Sequence, residues 1–317
     1  MLRMVALATV VVLSPVISIG ASIVLWLAVR SYPGLAVFLP GFDNAATWRD
    51  AVWPALPAVA IVAIVIACAA IEVGALGYDR SALKRIIELS TPSAKNDLFY
   101  LLLKTLGGAQ ILIFIMSFGL GYAGAHYLEN KFSLALLAGS PYAAQFAALL
   151  IVHTFMFYWT HRLMHVRRLW QIHKVHHAAE ELNIVTPLRN HPVDGLINLF
   201  LYAAPLAMLG VSPIVAAVYL GWNAAYQCLV HSSIEGRCRW LEAIIITPAA
   251  HRLHHSVDDR HWNRNFGILT FWDWLFGTYL PPDESPEKLG VDDGLFNSGR
   301  PLNELWTVFV AWVRSLA

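Results

Sequence analysis

The sequence predicts an all-α, polytopic integral membrane protein with a cytoplasmic helical cap that holds a histidine-rich dimetal site. Three observations lead there. Hydrophobic residues make up 57% of the 317 and charged residues only 14%, where a soluble domain carries about 25% charged. Uncharged apolar runs recur at lengths that suit a bilayer, which needs about 20 residues per helix. Twelve of the thirteen histidines lie between His153 and His261, about a third of the chain, a crowding that chance placement does not give.

The elements follow in order. Residues 4–29 contain no charge and form the first expected span. Arg3 ahead of an apolar run also fits a signal peptide, but the apolar region of a signal is only about 7 to 15 residues long, so a retained anchor is expected. Residues 51–71 are the second span, with Pro54 and Pro57 near its start. Residues 78–96, carrying Arg80, Lys84, Arg85 and Lys95, read as a polar connection, and 105–125 as the third span. Gly139, Ser140 and Pro141 break the chain before a fourth helix over 142–160, which runs on without a turn signal into His161 and His165. Residues 195–230 are uncharged and are split by Gly210, Ser212 and Pro213. The two arms, about 14 and 17 residues, are short for independent spans and suit a tilted or re-entrant hairpin. Residues 302–316 read as an amphipathic helix on the membrane surface. The expectation is six membrane-embedded helices in three units: membrane helices over 1–141, a histidine-box domain over 142–281 and a tail over 282–317.

Basic residues in short loops set the orientation. Arg3, Arg80, Lys84, Arg85, Lys95, Arg162, Arg167, Arg168 and Lys174 fall on one side, and Arg30, Arg49 and Lys131 on the other. The crowded side, with the histidines, is expected to be cytoplasmic at a bacterial inner membrane. A formal net charge of +1 and the lack of a basic run interleaved with aromatics exclude a nucleic-acid partner. Cys68, Cys228 and Cys238 show no C-x-x-C spacing and read as small core residues.

The histidines fall into boxes: H-R-L-M-H at His161 and His165, H-K-V-H-H at His173, His176 and His177, and H-R-L-H-H at His251, His254 and His255. Spacings of i, i+4 and i, i+3, i+4 stack rings on one helical face. Near a bilayer such polar side chains are costly without partners, so metal binding is the reading. Eight imidazoles exceed what one ion with an open position uses, and two metals are expected. Boxes on either side of 195–230 share those metals only if the chain returns to the side it left, which is why a hairpin is required. His231, at the end of that hairpin, is the ninth expected ligand. His191, in N-H-P-V-D, fits either a ligand or a hydrogen-bonding support. His153 fits a hydrogen-bonded helix contact or a support on the same face as His161; His126 reads as interfacial and His261 as part of a loop. The Glu-x-x-His motif of soluble di-iron bundles is missing, and so is H-E-x-x-H. An all-nitrogen site suits iron that binds and reduces dioxygen, chemistry that opens an unactivated C–H bond where side-chain acids and bases cannot. The rival class is a histidine-rich membrane metal-ion transporter or carrier. It needs ligands near mid-membrane on discontinuous helices, whereas these boxes lie in charged segments at helix ends. A haem electron carrier would need only one or two axial histidines.

These ordered boxes, together with V-H-S-S at His231, N-F-G at Asn265 and W-D-W-L-F-G-T-Y at Trp272, resemble the membrane fatty acid hydroxylase and sterol desaturase superfamily. The resemblance covers about 154–280. It implies a di-iron, dioxygen-dependent lipid hydroxylase or desaturase acting on an acyl chain, sterol, carotenoid or ether lipid, with electrons from an external donor of the cytochrome b5 type or a ferredoxin with its reductase. No G-x-G-x-x-G fingerprint of a bound nicotinamide or flavin occurs. Two departures stand out against the family pattern. Gln227 replaces a further histidine and Ser232 a second adjacent one, which leaves a set of eight or nine ligands. Asp194 stands where many relatives have glutamate and is expected to fix a ligand by hydrogen bonding. Phe157, Trp159 and Trp272 could line a lateral lipid route or anchor at the interface, and no function is assigned to them.

Overall fold

The computed structural model describes residues 56–117, 135–198 and 209–316, with isolated positions 23, 27, 30, 31, 124 and 127. The first expected span, 4–29, lies outside the described stretches. Among the described residues all regular structure is helical, and the only strand-like pairings are the isolated bridges Ile245–Leu269 and Ser256–Leu289. The helices are α1 (Leu56–Leu76), α2 (Ala82–Glu88), α3 (Pro92–Thr105), α4 (Gly108–Met116), α5 (Tyr142–Met164), α6 (Arg167–His177), α7 (Pro192–Asn198), α8 (Pro213–Val230), α9 (Arg239–Glu242), α10 (Pro248–His254), α11 (Thr270–Leu275) and α12 (Pro301–Leu316).

Three of these begin with the same local device. Thr91, Ser212 and Thr247 each accept a hydrogen bond from the backbone N–H three residues on, and each is followed by proline at the first helical position. The hydroxyl satisfies an orphan N–H and the proline costs nothing there, because its N–H would be unpaired anyway.

Helices α1, α5 and α8 are the ones long and apolar enough to cross a membrane among the described residues. They run in the same direction. In the last turns of α1, Glu72 Oε1 accepts from Ser233 N, just beyond the end of α8, at 2.9 Å. Helix α5 ends at His165, whose ring lies 4.8 Å from that of His177. At the opposite end, Leu137 N donates to Leu209 O at 3.2 Å and Ser212 N donates to Gln145 Oε1 at 2.7 Å. The C-terminal ends of all three thus enter one polar cap. Helices α4 and α7 lie side by side: Ile113 Cδ1 is 3.1 Å from where a Cβ on Gly195 would stand.

Two sequence expectations change. The polar connection over 78–96 is largely helical; Arg80 and Lys95 are exposed and Lys84 and Arg85 partly so, while Ser93, Asn96 and, just beyond the segment, Asp97 are buried. They face Arg189, which is fully buried and reaches Asp97 Oδ1 at 3.4 Å, Asn297 Oδ1 at 2.8 Å and Val175 O at 3.0 Å. Asp97 and Arg189 thus form an internal ion pair beside a segment that the sequence reads only as a polar connection. The third span does not start at Thr105, which closes α3; Gly107, at φ +78°, breaks the helix there before α4. The remainder of 105–125 after Ser117 lies outside the described stretches. The fourth helix forms as expected, and the tail is helical over Pro301–Leu316. Helix α12 packs on α6, with Leu305 and Val308 buried in a cluster that also holds Tyr100, Met164, Ile172 and Val193. Cys68 and Cys228 are buried free thiols in the core between α1 and α8.

Candidate metal centre

Only His165 and Val166 separate α5 from α6, so the chain turns a corner and lays the second histidine box against the first. Helix α10 brings the third box, and His231 follows the last residue of α8. The result is two sets of four. Ligand-capable nitrogens of His161, His165, His173 and His177 lie within 4.8 Å of one another, as do those of His176, His231, His251 and His255. His254 joins His177 and His255 in a third such group, with its Nε2 3.0 Å from His161 Nε2. All nine predicted ligands are therefore brought together.

The hydrogen bonds fix which nitrogen faces inward. His161 Nδ1–H donates to Phe266 O at 2.8 Å, His254 Nδ1–H to Arg264 O at 2.6 Å and His231 Nδ1–H to Gln227 O at 2.8 Å. His173 Nδ1–H donates to Asp194 Oδ2 at 3.0 Å. Each bond leaves the Nε2 lone pair free, the form that binds metal. In His161 and His254 two such lone pairs then face each other at 3.0 Å, and His231 Nε2 stands 2.9 Å from His251 Nε2 and 3.2 Å from His176 Nε2. His165 Nε2, His173 Nε2, His177 Nε2, His176 Nδ1 and His255 Nδ1 are buried without any hydrogen-bond partner. Buried polar atoms are normally paired. Opposed and orphaned lone pairs in this number fit cations placed among them.

Burial also keeps the rings neutral. It pushes the pKa of His165, His176, His177, His251 and His255 well below the usual value, and neighbouring imidazoles add to the shift. Burial likewise takes His231 down to about 4 and His254 to about 3. Metal ligation needs this deprotonated form.

The closing N-F-G and W-D-W segments hold the carbonyl that orients His161. Asp273 is buried and accepts from Phe266 N at 2.9 Å, Gly267 N at 2.7 Å and Thr278 Oγ1 at 2.6 Å. A Cβ on Gly267 would stand 2.7 Å from Asp273 Oδ2, so only glycine allows the clasp. Asn265 adopts φ 55° and ties Ala250 O and Leu280 O with its side-chain amide. Trp272 Nε1 donates to Thr154 Oγ1 at 3.0 Å, which fastens α11 to α5.

The remaining candidates sort out by geometry. Asp194 touches His173 as expected and also accepts from Asn198. His191 does not face the cluster: its Nδ1 accepts from Val193 N at 3.1 Å and its Nε2–H donates to Leu305 O at 3.1 Å. With both nitrogens engaged it is no ligand, and it fastens the start of α7 to α12. His153 is the helix contact, bonded to Tyr219 on α8 at 2.8 Å. His261 bonds Glu284 at 2.9 Å. Sequence reasoning missed the carbonyls of Arg264, Phe266 and Gln227, since every residue carries a carbonyl, and it missed Lys104 and Asn223, which line a cavity beside the histidines. The polar residue at the end of an apolar helix was the only signal for Lys104.

Residues 146–278 match the fatty acid hydroxylase family. The chain is 34% identical over 156 residues to the alkylglycerol monooxygenase of Danio rerio, covering 48% of this chain and 33% of that one. It is 32% identical over 210 residues to ornithine lipid hydroxylase OlsE of Rhizobium tropici, covering 62% of this chain and 60% of that one. It is 28% identical over 142 residues to a putative Delta(7)-sterol-C5(6)-desaturase of Arabidopsis thaliana, covering 43% and 48%. The matched segments thus span between a third and three fifths of these relatives' lengths. No solved structure matches. The matched segment holds every histidine of the two sets, and over residues 146–278 this chain is similar to the fatty acid hydroxylase family.

Proposed function

We propose that this integral membrane protein is a di-iron, dioxygen-dependent lipid hydroxylase or desaturase, with its chemistry in residues 142–281. The observation that carries the reading is the pair of four-histidine sets with inward lone pairs, beside a cavity whose wall includes Ile61, Phe157 and Ala224 from the three candidate spans. Iron held by His161, His165, His173, His176, His177, His231, His251, His254 and His255 would supply the dioxygen chemistry that breaks an unactivated C–H bond. Asp194 and the carbonyls of Phe266, Arg264 and Gln227 keep the rings turned. The apolar wall receives the lipid from the side and keeps water from the reacting carbon. The related proteins named above act, by their names, on alkylglycerols, ornithine lipids and sterols, and a lipid is the substrate class proposed here.

Electrons come from an external donor, a cytochrome b5-like protein or a ferredoxin with its reductase. A second cavity, of about 530 Å³, reaches His165, His177 and His254 from the cap between Trp170 and Trp262, and it gives that donor an approach away from the lipid. The cap is cytoplasmic by the distribution of basic residues. A metal-ion carrier is the weaker reading, because the histidines cluster in the cap where the spans end.

The test is chemical. Purified protein is expected to hold about two irons per chain, as two separate histidine sets require, and lipid mass spectrometry should find a species gaining one oxygen or losing two hydrogens. His176→Ala removes a ligand from the second set and should lower iron content and abolish that product. Full iron and full product in the variant would remove the dimetal reading.

A further inference from the structure

Lys104, in the last turn of α3, lines a cavity of about 440 Å³ together with His161, His173, His176, His231 and His251. The cavity wall divides by chemistry. Ile61 and Ile64 of α1, Phe157 of α5 and Ala224 of α8 are apolar, while Asn223 and Gln227 present two amides one turn apart on α8. Asn223 Oδ1 and Gln227 Nε2 are buried and have no hydrogen-bond partner. Asp194 shares the wall, but its Oδ2 is taken by His173 and its Oδ1 by Asn198. Among the described residues the Lys104 ammonium makes no ion pair and no hydrogen bond. Burial lowers its pKa, and Asp194 is the one group that opposes the shift. Lys104 is partly exposed where it lines the cavity, and an anion brought to its ammonium there would gain a charge-assisted hydrogen bond.

Building on the lipid-oxidising function proposed above, we infer that Lys104, with Gln227 and Asn223, forms an anion subsite that holds a carboxylate or phosphate of the substrate lipid. Lys104 Nζ and Gln227 Nε2 donate to the anionic oxygens, and Asn223 Oδ1 accepts from a hydroxyl or amide beside them. The subsite and the inward histidine nitrogens share one cavity, so the oxidised carbon lies a few bonds from the charged end of the lipid. The distal chain then lies along the apolar wall of α1, α5 and α8. Gln227 occupies the position at which the family pattern places a further histidine in some members. In this chain that position supplies a donor to the cavity, and its backbone carbonyl still orients His231.

The probes are oleate and oleyl alcohol, which share a chain and differ in the charged end. Equilibrium binding of each is measured on the purified full chain in neutral detergent, with iron content determined alongside. Oleate should bind at least about tenfold more tightly, the size expected of a charged hydrogen bond. Lys104→Met should erase that preference and leave oleyl alcohol binding unchanged, Lys104→Arg should keep it, and Gln227→Leu should reduce it. Equal affinity of the native chain for both probes, or a preference that survives Lys104→Met, overturns the subsite. Inorganic phosphate that bound more tightly than oleate would assign the pocket to a free anion and overturn the lipid assignment. The readout is binding, so a protein that proved not to oxidise lipids would still give a clear answer on the subsite.

Discussion

His173 donates through Nδ1 to Asp194 and turns an unpartnered Nε2 to its neighbours, so the carboxylate sets both the tautomer and the basicity of that ring. Asp194→Asn keeps an acceptor oxygen but removes the charge. Iron retention against a chelator should fall about 10- to 100-fold, and retention equal to the native chain would detach Asp194 from the centre. His191, three residues earlier, answers to different physics. It is buried and its pKa is pushed down to about 4, chiefly by burial, against about 6.5 in an unfolded chain. Between those values the unfolded state binds a proton that the folded state does not. The neutral ring's contribution is therefore complete above pH 6.5 and fades as pH falls toward 4. His191→Gln should destabilise the protein at pH 7 without changing its iron content. The gap between variant and native chain in thermal unfolding should narrow by about 2 kcal/mol at pH 5, and a gap independent of pH would remove the assignment.

Helix α3 shows where sequence reading stops. Its residues Ser93, Asn96 and Asp97 have the composition of a solvated turn, and nothing local announces that Arg189, ninety-two positions beyond Asp97, will be buried against them. Burial pushes the Asp97 carboxyl up, and Arg189, Asn183 and Thr186 pull it back. Asp97→Ala would leave the Arg189 guanidinium buried without its counter-ion, which costs about 3–5 kcal/mol. Thermal unfolding in detergent should register that loss, and Asp97→Leu with Arg189→Met should recover much of it, since an apolar pair of similar volume is often neutral. The histidine boxes were legible for the opposite reason. Side-chain type and a helical period were enough to put His161 with His165, and His173 with His176 and His177, on common faces. Their partners were not legible, because Phe266 and Arg264 act through main-chain oxygens that a sequence does not distinguish. By residue type His191 fits either a ligand or a hydrogen-bonding support, and its contact with Leu305 on a distant helix, which a sequence does not display, favours the support.

At the scale of the molecule, three spans pointing the same way impose a topology. Helices α1, α5 and α8 all deliver their C-terminal ends to the cap, joined there by Glu72 to Ser233 and by the histidines, while Leu137 and Leu209 meet at the far end. The shared direction of α5 and α8 agrees with the return to one side that the boxes require. The cap carries Lys84, Arg85, Arg167, Arg168 and Lys174, and the cytoplasmic orientation proposed from the positive-inside bias is open to a direct test. Single cysteines test arrangement and orientation together, in a chain with Cys238→Ser, since Cys68 and Cys228 are buried. A cysteine at Asp292, whose side chain is 97% exposed on the cap, should escape a membrane-impermeant maleimide in intact cells and react once they are opened. A cysteine at Ser140, beside the start of α5, should react in intact cells. The reverse pattern would turn the protein over while leaving the parallel spans in place. Reaction of both cysteines from one side would mean that α5 does not carry the chain across, and the shared entry of the three spans into one cap would fail with it.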